Sequence, residues 1–172
     1  MNLKNNNQLH FEPVNSENRR EAENLSVFSE QSGFIESVGE CLQEADNLKL
    51  WRPVCIYDGD TLVGFAMYGY FPSPFPGRLW LDRLLIDKRY QGKGYGRQAV
   101  LALLDRLHAE YSDSMVYLSV YENNTRAIRL YEQIGFCFNG EYDTKGEHVM
   151  VYLWEKDTYI SPPLYDKIAV YD

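Results

Sequence analysis

The sequence predicts an α/β (α+β) protein whose mixed sheet carries helices on both faces. The chain has 172 residues, of which 45% are hydrophobic, and this length and composition indicate one domain with a substantial core. Apolar residues recur at strand and helix spacings in the order β-α-α-β-β-β-α-β-α-β-β. A hairpin is followed by a strand, a glycine-rich turn and a helix, and this combination is typical of a mixed sheet with flanking helices.

The first half of the chain predicts three strands and two helices. The first helix turns Ala22, Leu25 and Phe28 inward, and the second has an acidic face opposite its apolar face. An Asp-Gly-Asp turn at residues 58–60 separates two apolar runs and predicts a hairpin. The predicted elements are the strand Leu9 to Val14, the helices Asn18 to Phe28 and Phe34 to Asn47, and the strands Pro53 to Tyr57 and Leu62 to Tyr70.

The second half predicts four more strands and two more helices. They come after a rigid loop at residues 71–77, where three prolines remove hydrogen-bond donors. Apolar stripes at helix spacing indicate the helices, and polar turns separate the last strands. The predicted elements are the strand Leu79 to Ile86, the helix Arg97 to Tyr111, the strand Met115 to Tyr121, the helix Asn124 to Ile134, and the strands Phe136 to Tyr142 and His148 to Leu153.

The ends of the chain and its apolar runs predict the domain boundary and the cellular compartment. We expect a single domain over residues 1–153 and a C-terminal tail over residues 154–172. No apolar run approaches the roughly 20 residues that span a bilayer, and the N-terminus lacks the apolar core of a signal peptide, so we expect a cytoplasmic protein without membrane contact. Cys41, Cys55 and Cys137 have no metal or disulfide spacing and are expected to be reduced thiols.

Charge is distributed unevenly along the chain. The net charge is −8, but residues 87–97 hold four basic side chains against one carboxylate, a local charge of +3, so the other residues carry −11. A nucleic-acid-binding protein presents a broad basic face, which this sequence lacks. The pattern favours one anionic ligand at residues 87–97 and a cationic partner elsewhere, although a charge of −8 also serves solubility alone.

The segment from Asp82 to Gly96 is the most informative part of the sequence. An apolar strand leads into a turn with three glycines and then a helix, an arrangement that points backbone amides and the helix dipole at an anion. The Walker A string GxxxxGK(S/T) is absent, and the dinucleotide pattern at Gly94 to Ala99 does not come after the first strand of a βαβ unit. The turn typical of acetyl-coenzyme A binding, (Q/R)xxGx(G/A), matches Gln91 to Gly96.

A second string strengthens the match to an acetyl-coenzyme A turn. NTRAIRLYEQIGF at residues 124–136 fits the pattern NxxAxxLYxxxGF, which on its own is also an amphipathic helix ended by a C-cap glycine. Together the two strings resemble the GNAT family of N-acetyltransferases over roughly residues 9–153. Longer runs at residues 65–71, 80–96 and 117–141 are similar to the Blt-type spermine/spermidine N-acetyltransferases of Gram-positive bacteria.

This resemblance implies a fold, a reaction and a cosubstrate. It implies a mostly antiparallel sheet of about six to seven strands that splays at the cofactor site. It also implies transfer of an acetyl group from acetyl-CoA, without a metal, to an amine of a polyamine such as spermine or spermidine. Family members are often dimers, so a homodimer is expected. The implied cofactor-binding residues are Leu84, Leu85, Ile86, Gln91, Gly92, Lys93, Gly94, Tyr95, Gly96, Arg97, Asn124, Ala127 and Tyr131.

The same resemblance implies two catalytic residues. Tyr131 matches the family's general acid, and its phenol, with an ordinary pKa of about 10, is able to protonate the leaving thiolate. Asp82 aligns with the carboxylate proposed as base in related polyamine acetyltransferases, but an ordinary Asp pKa of about 3.9 requires assistance from burial or a water relay. The alternatives are an aromatic core position for Tyr131 and a salt bridge to Arg83 or Arg78 for Asp82.

Acidic and aromatic side chains are candidates for binding the polyamine, because carboxylates pair with ammonium groups and aromatic faces attract cations. Glu36, Glu40 and Glu44 share one face of the predicted second helix, which is otherwise a solvated face. Two further hypotheses remain: a GNAT enzyme for an aminoglycoside, an amino acid or a protein N-terminus, and a non-catalytic acyl-CoA-binding sensor. Besides Glu44, the candidates for acceptor binding are Glu36, Glu40, Tyr68, Trp80, Glu122 and Glu141.

Overall fold

The computed structural model describes residues 9–111 and 115–154. Within that part of the chain, seven strands form one sheet, four α-helices pack on it, and no helix is long and apolar enough to cross a membrane. The strands are β1 His10–Pro13, β2 Trp51–Asp58, β3 Thr61–Phe71, β4 Arg78–Ile86, β5 Met115–Val120, β6 Cys137–Tyr142 and β7 His148–Leu153. The helices are α1 Arg19–Glu23, α2 Val38–Asn47, α3 Tyr95–Glu110 and α4 Thr125–Ile134, with a 3-10 turn at Ser29–Gln31.

The sheet is mixed and mostly antiparallel, which confirms the predicted fold class. Its strand order is β1-β2-β3-β4-β5-β7-β6, and β4 with β5 form the parallel pair. The predicted turn at residues 58–60 joins β2 to β3, and Gly59 there has a φ of 56°. Helix α3 makes the crossover that a parallel pair requires. The alternation of strand direction is therefore interrupted inside the sheet, where the neighbouring strands β4 and β5 run the same way.

Helices cover both faces of the sheet, as the sequence predicts. On one face α3 buries Val100, Leu103 and Leu107, and α4 adds half-buried side chains to the same core. On the other face α1 and α2 bury Ala22 and Leu42 against β2 and β3. The stripe on α3 has the predicted helical spacing, because a 3.6-residue period brings these positions to one side. Burial of these two apolar layers fixes the helices on the sheet.

Strand β4 contains a bulge that reverses its two faces. Met67 of β3 pairs with Arg83 and Tyr68 pairs with Leu81, so Asp82 has no partner of its own on β3. Before the bulge, Leu81 faces the core of α3; after it, the even-numbered Ile86 does so. A β-bulge adds one residue to a strand and redirects its side chains. Asp82 and Arg83 are therefore adjacent polar side chains at the point where the strand bends.

Strands β4 and β5 separate soon after they meet. Among the described residues, two pairs join them: Leu79 with Val116 and Trp80 with Tyr117. Both strands continue beyond these pairs, β4 to Ile86 and β5 on to its last residue. The backbone of β4 after the bulge therefore has a sheet partner on its β3 side and an open edge on its β5 side. This is the splayed sheet that the family resemblance implies.

The first helix is shorter than predicted, and the predicted span from Asn18 to Phe28 was wrong at its end. Helix α1 ends at Glu23. The N–H of Ser26 donates to the carboxylate of Asp87 at 3.0 Å, and the Ser26 carbonyl accepts a backbone hydrogen bond at 2.8 Å from the residue after Asp87. These long-range bonds replace helical ones. Phe28, which was predicted to point inward, is 42% exposed.

The second helix begins at Val38, four residues later than predicted. Ser37 caps it: its hydroxyl accepts from the N–H of Glu40 at 3.3 Å, and the Glu40 carboxylate accepts from the N–H of Ser37 at 2.9 Å. This reciprocal pair is a capping box, and its Ser-x-x-Glu spacing was available in the sequence. Glu36 consequently precedes the helix and does not share a helical face with Glu40 and Glu44.

The ends of the chain and its thiols complete the comparison with the predicted organisation. All but the first residue of the predicted tail, 154–172, lies outside the described residues, and the boundary at residue 153 stays a prediction. The three cysteines are free thiols; Cys41 and Cys55 are buried, and Cys137 is exposed. No group of His, Cys, Asp and Glu suited to a metal ion occurs within the ranges that the structure describes.

Asp87 connects the end of β4 to the segment after α1. Its side chain is 1% exposed and accepts hydrogen bonds from the backbone N–H of Ser26 and of Arg89, each at 3.0 Å, and from Nε of Arg89 at 2.7 Å. Burial alone raises the pKa of Asp87, but the Arg89 guanidinium and these N–H donors outweigh it and lower the pKa below its ordinary value. Asp87 is therefore ionised and satisfied at neutral pH.

We predict that Asp87→Ala lowers the free energy of unfolding by about 2 kcal/mol, because buried N–H donors lose their acceptor. Urea unfolding at pH 7 measures the change. Since the pKa of Asp87 is lowered in the folded state, the stabilisation is present above about pH 4 and is lost as the pH falls further, so wild type and variant converge in acid. Asp105→Ala, on the exposed side of α3, is the control; an equal loss in both variants contradicts the prediction.

Candidate active site

A cleft with a volume of about 420 Å³ opens between the separated strands β4 and β5. Its walls are the second half of β4, the end of β5, the glycine-rich turn before α3, the first turns of α4 and the segment before α2. The predicted site residues that line it are Glu36, Asp82, Leu84, Leu85, Ile86, Gln91, Gly92, Gly94, Tyr95, Gly96, Arg97, Asn124, Ala127 and Tyr131. The splayed sheet thus brings together segments that are far apart in sequence.

The glycine-rich turn forms the basic end of the cleft. Gly92 and Gly94 have φ values of 76° and 84°, in the left-handed region that favours glycine, and Gly94 immediately precedes α3. A Cβ added at Gly92 meets nothing within 4 Å, so the space next to the turn is open. The first N–H groups of α3 have no acceptor within the helix, and Lys93 and Arg97 add positive charge. This end of the cleft suits a phosphorylated anion.

Hydrogen bonds between side chains hold the turn in place. Gln91 donates to the carbonyl at the end of β4 at 3.0 Å and exchanges two hydrogen bonds with Gln31 at 2.8 and 3.0 Å. Arg126 of α4 donates to the same Gln91 at 3.4 Å. The hydroxyl of Tyr95 donates to the carboxylate of Asp58 in the β2–β3 hairpin at 2.5 Å. The side chain of Gln91 therefore orders the turn, and its predicted contact with the cofactor stays a prediction.

Helix α4 carries Tyr131 into the wall of the cleft. The helix begins at Asn124, whose side chain accepts from the N–H of Ala127 at 3.3 Å, and it ends at Gly135 with a φ of 118°. Tyr131 is half-buried and packs edge-on against Phe136, with ring centroids 5.6 Å apart. Burial raises the pKa of Tyr131 to about 12. The phenol is thus fully protonated at neutral pH.

The bulge in β4 carries a partly buried ion pair. The Asp82 and Arg83 side chains, 17% and 11% exposed, are in direct contact. Arg83 also lies 2.8 Å from the carboxylate of Glu36 and 3.4 Å from that of Glu44. Burial raises the pKa of Asp82 to about 6, and the Arg83 charge limits this rise. Asp82 therefore has a pKa close to neutral pH. It also forms the salt bridge to Arg83 that the sequence analysis gave as the alternative to a catalytic role.

Carboxylates dominate the end of the cleft beyond Asp82. Glu36 pairs with Arg83 and with Lys145; burial alone raises the pKa of Glu36, but these cations outweigh it and lower the pKa. Glu147 is half-buried in the same cleft, and burial, together with the nearby Asp143 charge, raises its pKa. The cleft consequently has a basic end at the glycine-rich turn and an acidic end next to the segment before α2.

Most of the residues predicted to bind the acceptor do not line the described cleft. Tyr68 is 1% exposed and donates a hydrogen bond to a carboxylate of α3 at 2.9 Å. Trp80 packs on an aromatic ring of β5, Glu141 is paired with an arginine at the start of β4, and the Glu122 side chain is 85% exposed. Glu40 lines an adjoining hollow of about 450 Å³, whose wall includes the segment before α2.

Sequence reasoning assigned no binding or catalytic role to several polar residues at the cleft. Arg126 stood inside the NTRAIRLYEQIGF string, where its charge in the first turn of a helix was a usable signal. The bulge in β4 brings Arg83 to the cleft, and the turn between β6 and β7 brings Glu147 there. The periodicity of apolar residues predicts neither the bulge nor the position of this turn relative to the cleft. They include Gln31, Arg83, Ser119, Arg126, Lys145 and Glu147; Lys145 reaches the cleft through Glu36.

Known proteins share these motifs and this fold. The sequence model of the protein family described as "Acetyltransferase (GNAT) family" matches residues 17–136. The chain belongs to the GNAT acetyltransferase family. This confirms the resemblance carried by the glycine-rich turn and the α4 string. Among related GNAT proteins, the spermine/spermidine N(1)-acetyltransferase of Bacillus subtilis (strain 168) is 46% identical over 147 residues, which are 83% of this chain and 97% of that protein.

Solved GNAT structures share the fold at lower sequence identity. The spermidine N-acetyltransferase from Vibrio cholerae in complex with CoA and spermine has a TM-score of 0.66 and 22% identity, and the match covers 86% of this chain and 96% of that one. The aminoglycoside acetyltransferase AAC(6')-Ib in complex with coenzyme A has a TM-score of 0.71 and 20% identity, with 84% and 94% covered. At this identity the two structures support the fold alone.

We predict opposite effects on stability for two glycine substitutions in the turn. Gly94→Ala introduces a Cβ at a positive φ and should lower the free energy of unfolding by about 1–2 kcal/mol. Gly96→Ala, inside α3, brings its Cβ no closer than 3.6 Å to Leu130 and should raise stability by about 0.5–1 kcal/mol. Guanidinium unfolding of both variants measures the difference; changes of the same sign in both contradict the assigned backbone conformation.

Proposed function

We propose that the protein is an acetyl-CoA-dependent N-acetyltransferase that acetylates a primary amine of a polyamine, spermine or spermidine. One cleft holds the features that support this function: a turn suited to phosphates, an open strand edge, a half-buried phenol and an acidic end. The relative from Bacillus subtilis, whose name contains both polyamines, is 46% identical over nearly its whole length. An acidic wall favours a cationic acceptor over a neutral one.

The residues of the cleft fit a CoA thioester. The N–H groups from Gly92 to Gly96 and the start of α3 are suited to the diphosphate, and Arg126 adds a cation that the sequence analysis missed. The open edge of β4 at Leu84, Leu85 and Ile86 offers backbone donors and acceptors to the amide groups of the pantetheine arm, as an added strand does. A backbone N–H on this edge is also able to polarise the thioester carbonyl.

Tyr131 is the proposed general acid. In the proposed reaction the neutral amine nitrogen attacks the thioester carbonyl directly, and the carbon–sulfur bond breaks. The departing thiolate takes a proton from the phenol, and the proton that the nitrogen loses on forming the amide returns to the phenolate through solvent. A pKa of about 12 keeps the proton on Tyr131 until a thiolate forms nearby. The half-buried ring, packed against Phe136, leaves the phenol little freedom to turn away from the cleft.

Asp82 is the proposed base, directly or through a water molecule. A polyamine ammonium has to lose a proton before its nitrogen attacks, and a base with a pKa near the working pH is the most effective. Burial brings the pKa of Asp82 to about 6, which is closer to neutrality than an exposed aspartate. The neighbouring Arg83 keeps the carboxylate oriented on the bulge.

Acceptor binding is proposed at the acidic end of the cleft. Glu36 lines the cleft itself, and Glu40 lines the adjoining hollow, so the two carboxylates are available to separated ammonium groups. Tyr68, Trp80 and Glu141 have other partners and are less suited to this role. We retain a homodimer in the proposal; a spermidine N-acetyltransferase from Vibrio cholerae is described as dodecameric.

Thiol release with acetyl-CoA and a series of amines tests the function. We expect turnover with spermine and spermidine. Turnover with an aminoglycoside, but with neither polyamine, contradicts the proposed acceptor and favours another GNAT reaction. Tight binding of acetyl-CoA without turnover on any amine contradicts catalysis and favours a sensor.

We predict that Tyr131→Phe lowers kcat by about 100-fold while the KM for acetyl-CoA changes by less than about twofold, since the ring remains and only the proton donor is lost. Steady-state kinetics with spermidine measures both constants. Tyr152→Phe is the matched control, because Tyr152 packs against Phe136 outside the cleft. A wild-type kcat in Tyr131→Phe removes Tyr131 from the acid role.

We predict that kcat/KM rises with pH through an apparent pKa of about 6, because the raised pKa of Asp82 leaves the base form dominant only above that value. Asp82→Asn should remove this step and lower the plateau by about 100-fold. The measurement is a pH–rate profile from pH 5 to 9, with Asp105→Asn on α3 as the control. If the step at pH 6 survives in Asp82→Asn, another group is the base.

A further inference from the structure

A lysine from a distant turn pairs with the acidic end of the cleft. The ammonium of Lys145 contacts the carboxylate of Glu36, although the two residues are 109 positions apart. Glu36 lies in the segment before α2, and Lys145 lies in the turn between β6 and β7 beside Glu147, which also lines the cleft. The ion pair therefore joins two walls of the proposed acceptor site.

The backbone of this turn is held without help from the ion pair. The Asp143 carboxylate accepts from the N–H of Lys145 and from the N–H of Glu147, each at 2.8 Å, and the N–H of Asp143 donates to the Glu147 carbonyl at 2.9 Å. Gly146 completes the turn with a φ of 82°. The Lys145 side chain is thus able to leave Glu36 while the turn keeps its shape.

Two cations contact Glu36, and they differ in how easily they are replaced. The Arg83 side chain is 11% exposed and contacts Asp82 and Glu44 as well as Glu36. The Lys145 side chain is 46% exposed. A cation that arrives from solvent is therefore able to exchange with Lys145 and not with Arg83, because moving Arg83 would leave the largely buried Asp82 carboxylate unpaired.

The charged side chains around Arg83 become more negative, and attract a polycation more strongly, once Lys145 has left. The carboxylates of Glu36, Glu44 and Asp82 are opposed by Arg83 and Lys145, a net charge of −1 within this group. Without the lysine the same group carries −2. The lysine side chain is also a primary ammonium on four methylene groups, the same chemistry as the aminobutyl end of a polyamine.

We infer that Lys145 is a specificity residue that occupies the position of a substrate ammonium at Glu36 and has to be displaced by the acceptor. It competes with the polyamine, weakening binding without touching the reacting nitrogen. This role rests on the proposed polyamine acceptor. Because Lys145 competes only for the ammonium site at Glu36, it affects KM and not the chemical step. An acceptor with a second ammonium, remote from its reacting nitrogen, displaces Lys145.

Kinetics of charge-removing variants with spermidine tests the role of Lys145. Lys145→Met should lower the KM for spermidine about two- to fivefold with kcat unchanged, the range expected for loss of one partly exposed ion pair. Glu36→Gln should raise the KM about tenfold, because a carboxylate that holds an ammonium is lost. In the Glu36→Gln background, Lys145→Met should no longer change the KM, since no carboxylate remains to compete for.

Two comparisons separate this role from charge and folding effects. Lys49→Met removes the same charge from an exposed side chain in the turn after α2, where Lys49 lies 3.8 Å from Asp46, and should leave the KM unchanged. Lys145→Gln should reproduce Lys145→Met, and urea unfolding should show that both variants stay folded, with no more stability lost than one partly exposed ion pair provides. A KM that is unchanged or raised in folded Lys145→Met, or one that falls equally in the Glu36→Gln background, overturns the inference.

Failure of this inference is distinguishable from failure of the proposed function. Wild-type enzyme that acetylates spermidine, together with a Lys145→Met variant of unaltered KM, overturns the competition and leaves the polyamine acetyltransferase intact. Wild-type enzyme that turns over no polyamine overturns both.

Discussion

Strands β4 and β5 share two residue pairs in the described chain, and their separation beyond those pairs organises the whole site. A sheet that paired these strands to their ends would fill the space between them with backbone hydrogen bonds. Here the bulge at Asp82 turns β4, the edge beyond it stays open, and α4 packs beside the gap with Tyr131 in its wall. The open edge of β4 and the positions of Asp82 and Tyr131, which we propose as base and acid, are therefore consequences of one interruption in strand pairing.

The second constraint is electrostatic. Arg83, which the bulge turns toward α2, is a largely buried cation, and a buried cation requires carboxylate partners. Asp82, Glu36 and Glu44 supply them, and this gathers negative charge at one end of a cleft whose other end is basic. The same burial that demands these partners raises the pKa of Asp82 toward neutrality. One ion-pair cluster thus stabilises the fold at the bulge and holds the proposed base.

Much of the fold was readable from local sequence, and the errors have specific causes. The α3 stripe and the glycine turn were predicted, because helical periodicity and positive-φ glycines are local properties. The predicted end of α1 was wrong because the N–H of Ser26 forms a hydrogen bond with Asp87, a residue 61 positions away. The start of α2 was wrong although its cap, Ser37, was visible; the apolar spacing that continued from Ile35 outweighed it in the prediction.

By itself, the sequence determined the family, the glycine-rich turn and the helix that carries Tyr131, since each is a contiguous string with its own local geometry. Tertiary structure alone decided the separation of β4 from β5, the pairing of Asp82 with Arg83 and the contact between Lys145 and Glu36. These depend on where a bulge falls and on which distant side chains share a buried charge. Neither the position of a bulge nor the pairing of distant charged side chains leaves a periodic pattern or a fixed spacing in the sequence.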